Sequence, residues 1–221
     1  MLLKNIELPK YSLGEELVSS ISHGIGSLLS VAALVVGVVF AALYGDAWCV
    51  VSMAVYGAML VILYTMSTIY HGLRPNNGKR VFRIIDHCSV FLLIAGTYTP
   101  LTLISLRGMV GWILFGVVWT AAILGIVLNA VNINKYKVFS MICYIAMGWV
   151  IIFAFKPLMD AMAPAGIWLL LGGGFFYTVG AILYGIGKKK KYVHSVWHFF
   201  VLAGSILHYF SILLYVVPQA T

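Results

Sequence analysis

The chain has 221 residues, 62% of them hydrophobic and only 9% charged, with a formal net charge of +8. A soluble domain carries about 45–50% apolar and about 25% charged residues, so a water-facing globule is excluded. The basic residues stand in short runs between apolar stretches rather than along one face, which argues against nucleic acid and for anionic lipid headgroups, at about 1 kcal/mol per basic residue.

Residues 1–16, MLLKNIELPKYSLGEE, mix both signs of charge and lack the apolar core of a secretory signal. The first apolar segment is therefore expected to stay as an anchor, with 1–16 a cytoplasmic segment of a single membrane domain over 1–221. A helix needs about 20 apolar residues to cross a bilayer. Seven segments qualify: Leu17–Tyr44, Ala47–Tyr70, Ile84–Ser105, Val110–Val131, Val138–Phe155, Ala165–Gly187 and Val193–Val217. The predicted fold is all-α, a seven-helix transmembrane bundle.

Short loops make successive helices alternate in direction, and cytoplasmic loops retain Lys and Arg. One side receives Lys4, Lys10, Arg74, Lys79, Arg80, Arg83, Lys135, Lys137 and the run Lys188–Lys191, twelve of the 14 basic residues. The other receives Arg107 and Lys156. The N-terminus is thus expected in the cytoplasm and the C-terminus outside. Glycines such as Gly24, Gly26, Gly173 and Gly180 suit close helix packing in lipid. Pro100 is expected to kink the third helix. Cys49, Cys88 and Cys143 fall in separate apolar segments and read as small buried residues rather than a disulfide framework.

Ionisable groups inside spans are costly and mark candidate functional positions. Here they are His23, His71, Asp86, His87, His194, His198 and His208, with Glu15 and Glu16 at the edge of the first span. His71, Asp86 and His194 each stand three residues from a basic residue, roughly 4–5 Å into their helices at about 1.5 Å per residue. His198 lies one turn deeper and His23 at a similar depth, so five polar side chains from four helices share one thin slab. His194 and His198 are four apart on one helix face, as are Ser67 and His71. Three neutral imidazoles, from His71, His194 and His198, leave a fourth tetrahedral position for water, the catalytic arrangement of zinc. Zinc lowers the pKa of such a water to about 7. Asp86 is then placed to take its proton, and Ser67 to stabilise an oxyanion or fix a ligand ring. The plainer reading of the same residues is interfacial packing for the histidine pair and a salt bridge from Asp86 to Arg83 or Lys191. His23 reads as a polar contact lining the cavity, with direct ligation as its alternative, and Glu16 as lining the cavity too. His87 reads as packing or facing a loop. His208 reads as an interhelical hydrogen bond, about 15 Å beyond His198.

The stretch Glu16-Leu-Val-Ser19-Ser-Ile-Ser22-His23-Gly-Ile-Gly26 resembles the first-helix signature of the hemolysin III proteins, the bacterial branch of the progestin and adipoQ receptor family, which includes the adiponectin receptors. Ser67-Thr-Ile-Tyr-His71, Asp86 through Pro100 and His194-Ser-Val-Trp-His198 through His208 are similar to its second-, third- and seventh-helix motifs, in that order along essentially the whole chain. The resemblance implies a cytoplasmic N-terminus and zinc on His71, His194 and His198. It also implies Asp86 reaching the metal through a water, with Ser67 beside it. Adiponectin receptors are linked to ceramide hydrolysis, a wider superfamily includes alkaline ceramidases, and some bacterial members are called cytolytic. The long N-terminal region of the eukaryotic receptors is lacking here, and Ser19 stands where they have asparagine, which argues against a protein-hormone ligand. The expectation is a multi-pass plasma membrane protein (the inner membrane, in a bacterium). It is a possible zinc-dependent lipid amidohydrolase, ceramidase-like, acting on a small lipid-like amide or ester among membrane lipids. A sensor with structural zinc and a cytolysin are the alternatives.

Overall fold

In the computed structural model, residues 3–187 and 190–220 are described. A short 3-10 turn, Leu3–Asn5, precedes α1 (Leu13–Tyr44), α2 (Ala47–Gly72) and α3 (Asn77–Pro100). Then follow a π-helical turn (Leu101–Ser105), α4 (Met109–Trp149), a 3-10 turn (Val150–Ala154), α5 (Phe155–Ala161), α6 (Pro164–Gly187), α7 (Val193–Tyr215) and a last 3-10 turn (Val217–Ala220). Each of the first three helices starts on a side chain that satisfies an orphan amide. Ser12 and Glu15 form a reciprocal capping box on α1. Asp46 accepts from the Cys49 amide at 3.0 Å, and Asn76 from the Lys79 amide at 2.8 Å.

Among the described residues, six helical stretches are long and apolar enough to cross a membrane. The fourth of them, Met109–Ala161, runs through the expected fourth and fifth spans without a loop. Within α4 the backbone leaves helical geometry at Asn132 (φ −159°, ψ 88°), whose Oδ1 accepts from the Lys135 amide at 3.1 Å and so caps the second half of α4. Pro100 is the last residue of α3, and the chain continues into the wider π turn rather than kinking mid-helix. Helix α3 is central: 78% of its most apolar stretch is buried, against 22% for α1. Phe91, Ala95 and Tyr98 of α3 join Tyr56 and Leu60 of α2 and Val118 and Ala122 of α4 in the core. Leu28, Phe153 and Trp168 project outward, as a surface facing lipid requires. All three cysteines are free thiols.

One expectation fails in detail. Lys79, Arg80 and Arg83 are not loop residues, because Asn76 starts α3 before them. Lys79 and Arg83 are buried, 2% and 7% exposed, rather than displayed on a loop. Interior acceptors hold them instead: Glu16 and the Leu73 carbonyl for Lys79, the Glu7 carbonyl and Asn134 for Arg83. Lys188 and Lys189, counted in the expected basic run, lie outside the described residues.

Candidate metal centre

His71 closes the last turn of α2, while His194 and His198 face inward from the first two turns of α7. The Nε2 atoms of His71 and His194 lie 3.3 Å apart, as do those of His194 and His198. Ligand atoms of all three residues fall within 4.8 Å of one another, and all three rings are buried. Two nitrogens bound tetrahedrally at about 2.0–2.1 Å to one ion stand about 3.3 Å apart, which is the spacing found. The donor set therefore fits a metal ion.

The protonation of His71 supports the same reading. Its Nδ1 lies 2.7 Å from Oε2 of Glu16, an acceptor, so the ring proton sits on Nδ1 and Nε2 presents a lone pair to the other two rings. Glu16 is in turn held by Nζ of Lys79, 2.7 Å from its other oxygen. Lys79 also donates to the Leu73 carbonyl at 2.9 Å and lies over the Tyr70 ring. Glu16, expected on the cavity wall, thus stands behind His71 instead.

His23 packs beside the cluster, its ring centroid 3.7 Å from that of His198 and its edge on Tyr64. Both of its ring nitrogens, and Oγ of Ser67 one turn before His71, are buried without a hydrogen-bond partner. Unsatisfied buried polar atoms of this kind need explanation, and three of them gather around the imidazole cluster. Asp86 is buried; its Oδ2 lies 3.5 Å from Nδ1 of His87, its neighbour in sequence, rather than on Arg83 or Lys191. His87 does not merely pack: its Nε2 is 3.1 Å from the Tyr184 hydroxyl, and its ring forms part of a cavity wall.

That cavity, of about 150 Å³, runs from His23, Asp86 and His87 to His208 between apolar walls that include Leu93 and Val201. His208 donates from Nε2 to the Leu170 carbonyl at 2.9 Å, the interhelical bond expected of it. The histidine cluster thus meets an apolar cavity across His23, with one carboxylate on the wall.

Sequence reasoning passed over two participants. Lys79 reads as a loop cation, and only the fold brings it to Glu16. Tyr11 stacks on His194 with ring centroids 4.7 Å apart and planes at 14°. The N-terminal segment carrying it is fastened by the Ile6 and Glu7 carbonyls, which accept from Arg80 and Arg83. Burial, with the neighbouring Tyr184 and the charge of Glu16, pushes the Tyr11 phenol well above its usual range, so it stays neutral.

Comparison with known proteins places this geometry. Over residues 11–209 the chain matches the family model described as Haemolysin-III related. It is 44% identical to Hemolysin-3 of Bacillus cereus, over 94% of each chain. It is 42% identical to a Hemolysin-3 homolog of Bacillus subtilis, over 94% of this chain and 97% of that one. The human monocyte to macrophage differentiation factor is 25% identical, over 88% of this chain and 83% of its own. The crystal structure of a thermophilic rhodopsin superposes with a TM-score of 0.59 at 16% identity, covering 97% of both chains, and shares the fold alone. With its apolar helices and its match along nearly its whole length, the chain is an integral, multi-pass membrane protein that belongs to the haemolysin-III related family.

Proposed function

We propose that the protein binds zinc on His71, His194 and His198 and hydrolyses a lipid amide or ester. The observation that carries this is the convergence of three histidines, His194 Nε2 standing 3.3 Å from Nε2 of both His71 and His198, beside an apolar cavity that holds a buried carboxylate. Imidazole donors suit zinc among the available divalent metals. A three-histidine zinc supplies a Lewis acid and an activated water. The chain's own groups do the rest. Apolar walls bind an acyl chain, and Asp86 takes and returns the proton. Ser67 Oγ, buried and unpartnered, donates a hydrogen bond to the developing oxyanion, and Glu16 keeps the His71 lone pair aimed inward.

We also infer seven crossings with a cytoplasmic N-terminus. Met109–Ala161, at 53 residues, spans roughly 80 Å at about 1.5 Å per residue, too long for one crossing of a core about 30 Å thick. The break at Asn132 divides it in two. Asp46 and Arg107, from two different connections, pair at 2.6 Å at one end of the bundle, as alternating helices require. The excess of Lys and Arg at the opposite end sets the direction.

The test is turnover of a panel of ceramide-type amides and acyl esters by purified, metal-loaded protein and by Asp86→Ala. Wild type should release fatty acid while Asp86→Ala keeps its metal and loses activity. Equal rates would remove Asp86 from the mechanism, and no release by wild type across the panel would sink hydrolysis.

A second reading, a metal that fastens α2 to α7 in a non-catalytic sensor, draws on the burial of all three rings, none more than 6% exposed. It predicts a large loss of thermal stability on metal removal with no substrate consumed. Cytolysis, suggested by the relatives' name, fits less well, because a pore needs polar residues through the whole bilayer depth.

A further inference from the structure

At the end of the bundle where the N-terminal segment lies, a polar chamber of about 570 Å³ opens against Tyr11, the residue stacked on His194. Five basic side chains line it: Lys10, Arg83, Lys137, Lys190 and Lys191. The carboxylates on its wall are Glu7 and Glu15. Glu15 is occupied by the Ser12 cap and by the Tyr192 amide at 2.8 Å. The chamber is therefore markedly positive.

Arg83 makes it more than a patch of surface lysines. Its side chain is buried, only 7% of the residue being exposed, yet among the described residues no carboxylate lies within ion-pairing distance. Its Nη1 donates to the Glu7 carbonyl and to Asn134 Oδ1, both neutral acceptors, and its Nε is buried with no partner. A buried charge without a counter-ion is strongly unfavourable, and guanidinium is matched by carboxylate or phosphate oxygens in a two-point fork. We propose that this chamber is a binding site for a phosphate-bearing ligand, anchored by Arg83 and flanked by Lys137 and Lys191.

Position narrows the ligand. Lys137 and Tyr184 line both this chamber and the apolar cavity that reaches Asp86. A phosphate in the chamber therefore stands at the mouth of a channel suited to an acyl chain. Two sources share that chemistry: the headgroup of an anionic lipid, and a soluble phosphate ester or free phosphate.

The experiment uses the full chain in maltoside micelles, which contain no phosphate, and reads binding by calorimetry and thermal shift without requiring turnover. One arm titrates inorganic phosphate. The other adds phosphatidic acid or, as control, diacylglycerol with the same chains. Wild type should bind the phosphate group saturably and melt higher with it. Lys137→Gln combined with Lys191→Gln, both exposed and safe for folding, should weaken binding roughly fivefold per lysine, and Arg83→Gln should abolish it. Phosphatidic acid far tighter than phosphate assigns a lipid headgroup; equal affinities assign a soluble phosphate. No saturable binding in either arm, diacylglycerol as tight as phosphatidic acid, or a double lysine variant as tight as wild type would overturn the site. Because hydrolysis is not measured, loss of the catalytic reading leaves this result standing.

Discussion

Glu16 bridges His71 and Lys79, with one carboxylate oxygen 2.7 Å from the imidazole Nδ1 and the other 2.7 Å from the ammonium. Three helices are joined through one side chain, since Glu16 is on α1, His71 on α2 and Lys79 on α3. The carboxylate does two separable jobs. It fixes the His71 tautomer, and it neutralises a lysine that is 2% exposed.

Glu16→Leu, which leaves no side-chain acceptor for either partner, should therefore fail in both. Losing an outer partner of a metal-binding histidine weakens metal affinity by about 10–100-fold. Stranding Lys79 without its carboxylate costs about 3–5 kcal/mol of stability. Adding Lys79→Met to Glu16→Leu should recover most of the stability and none of the affinity. Metal competition titration and thermal unfolding of the two variants read the effects independently, and joint recovery of both would refute the tautomer argument.

The two inner histidines of α7 should behave oppositely when truncated. His198→Ala leaves two imidazoles in the cluster, and elemental analysis should find the purified protein nearly metal-free. His208→Ala removes the 2.9 Å bond to the Leu170 carbonyl and the edge contact with Tyr177, away from the cluster. That variant should retain its metal and lose at least roughly 0.6–1.7 kcal/mol, the range for hydrogen bonds between membrane helices. Metal loss in both would mean that the cluster depends on the packing of α7 rather than on His198 as a donor.

Much of this site is legible in the sequence because helix periodicity is rigid. The four-residue steps from His194 to His198 and from Ser67 to His71 fix which side chains share a face before any tertiary contact is known. Depth is less legible, because Arg83, the basic residue that marks the interface for Asp86 in the sequence, is buried among interior acceptors. What escapes depends on the tertiary arrangement. Lys79 looks like any loop cation until α1 brings Glu16 to it. Asn132-Ile-Asn-Lys-Tyr-Lys137 reads as a loop by polarity, yet it continues as helix after a single break, with Asn132 as cap. Tyr11 carries no signal at all, since a tyrosine in a polar leader has no periodicity to place it.

Asp46 gives a pH dependence at the opposite end of the bundle. Partial burial works to raise its pKa, but the hydrogen bond and charge of Arg107 and the Cys49 amide outweigh it and hold the carboxyl below its usual range. A depressed folded-state pKa contributes stability that is present above the unfolded value, about 3.9, and is lost as pH falls through the folded one. Acid unfolding should thus steepen below about pH 4. Asp46→Asn, which can still cap α2, should lower the melting temperature at neutral pH and flatten that acid slope. An unchanged slope in thermal melts taken down the acid range would remove Asp46 from it.

Tyr11 should control how fast metal leaves. Its ring lies flat on His194 at 4.7 Å, and the segment carrying it also walls the polar chamber. Tyr11→Ala uncovers His194 from that side, so a chelator should strip the metal about tenfold faster, at the low end of the effects of outer contacts on metal sites. Tyr11→Phe keeps the stacked face, and because the phenol is neutral in the parent protein no charge is lost with the hydroxyl. Stopped-flow release from the three proteins should therefore group Phe with wild type and set Ala apart. If Phe releases metal as fast as Ala, the hydroxyl rather than the stacked ring holds the site closed.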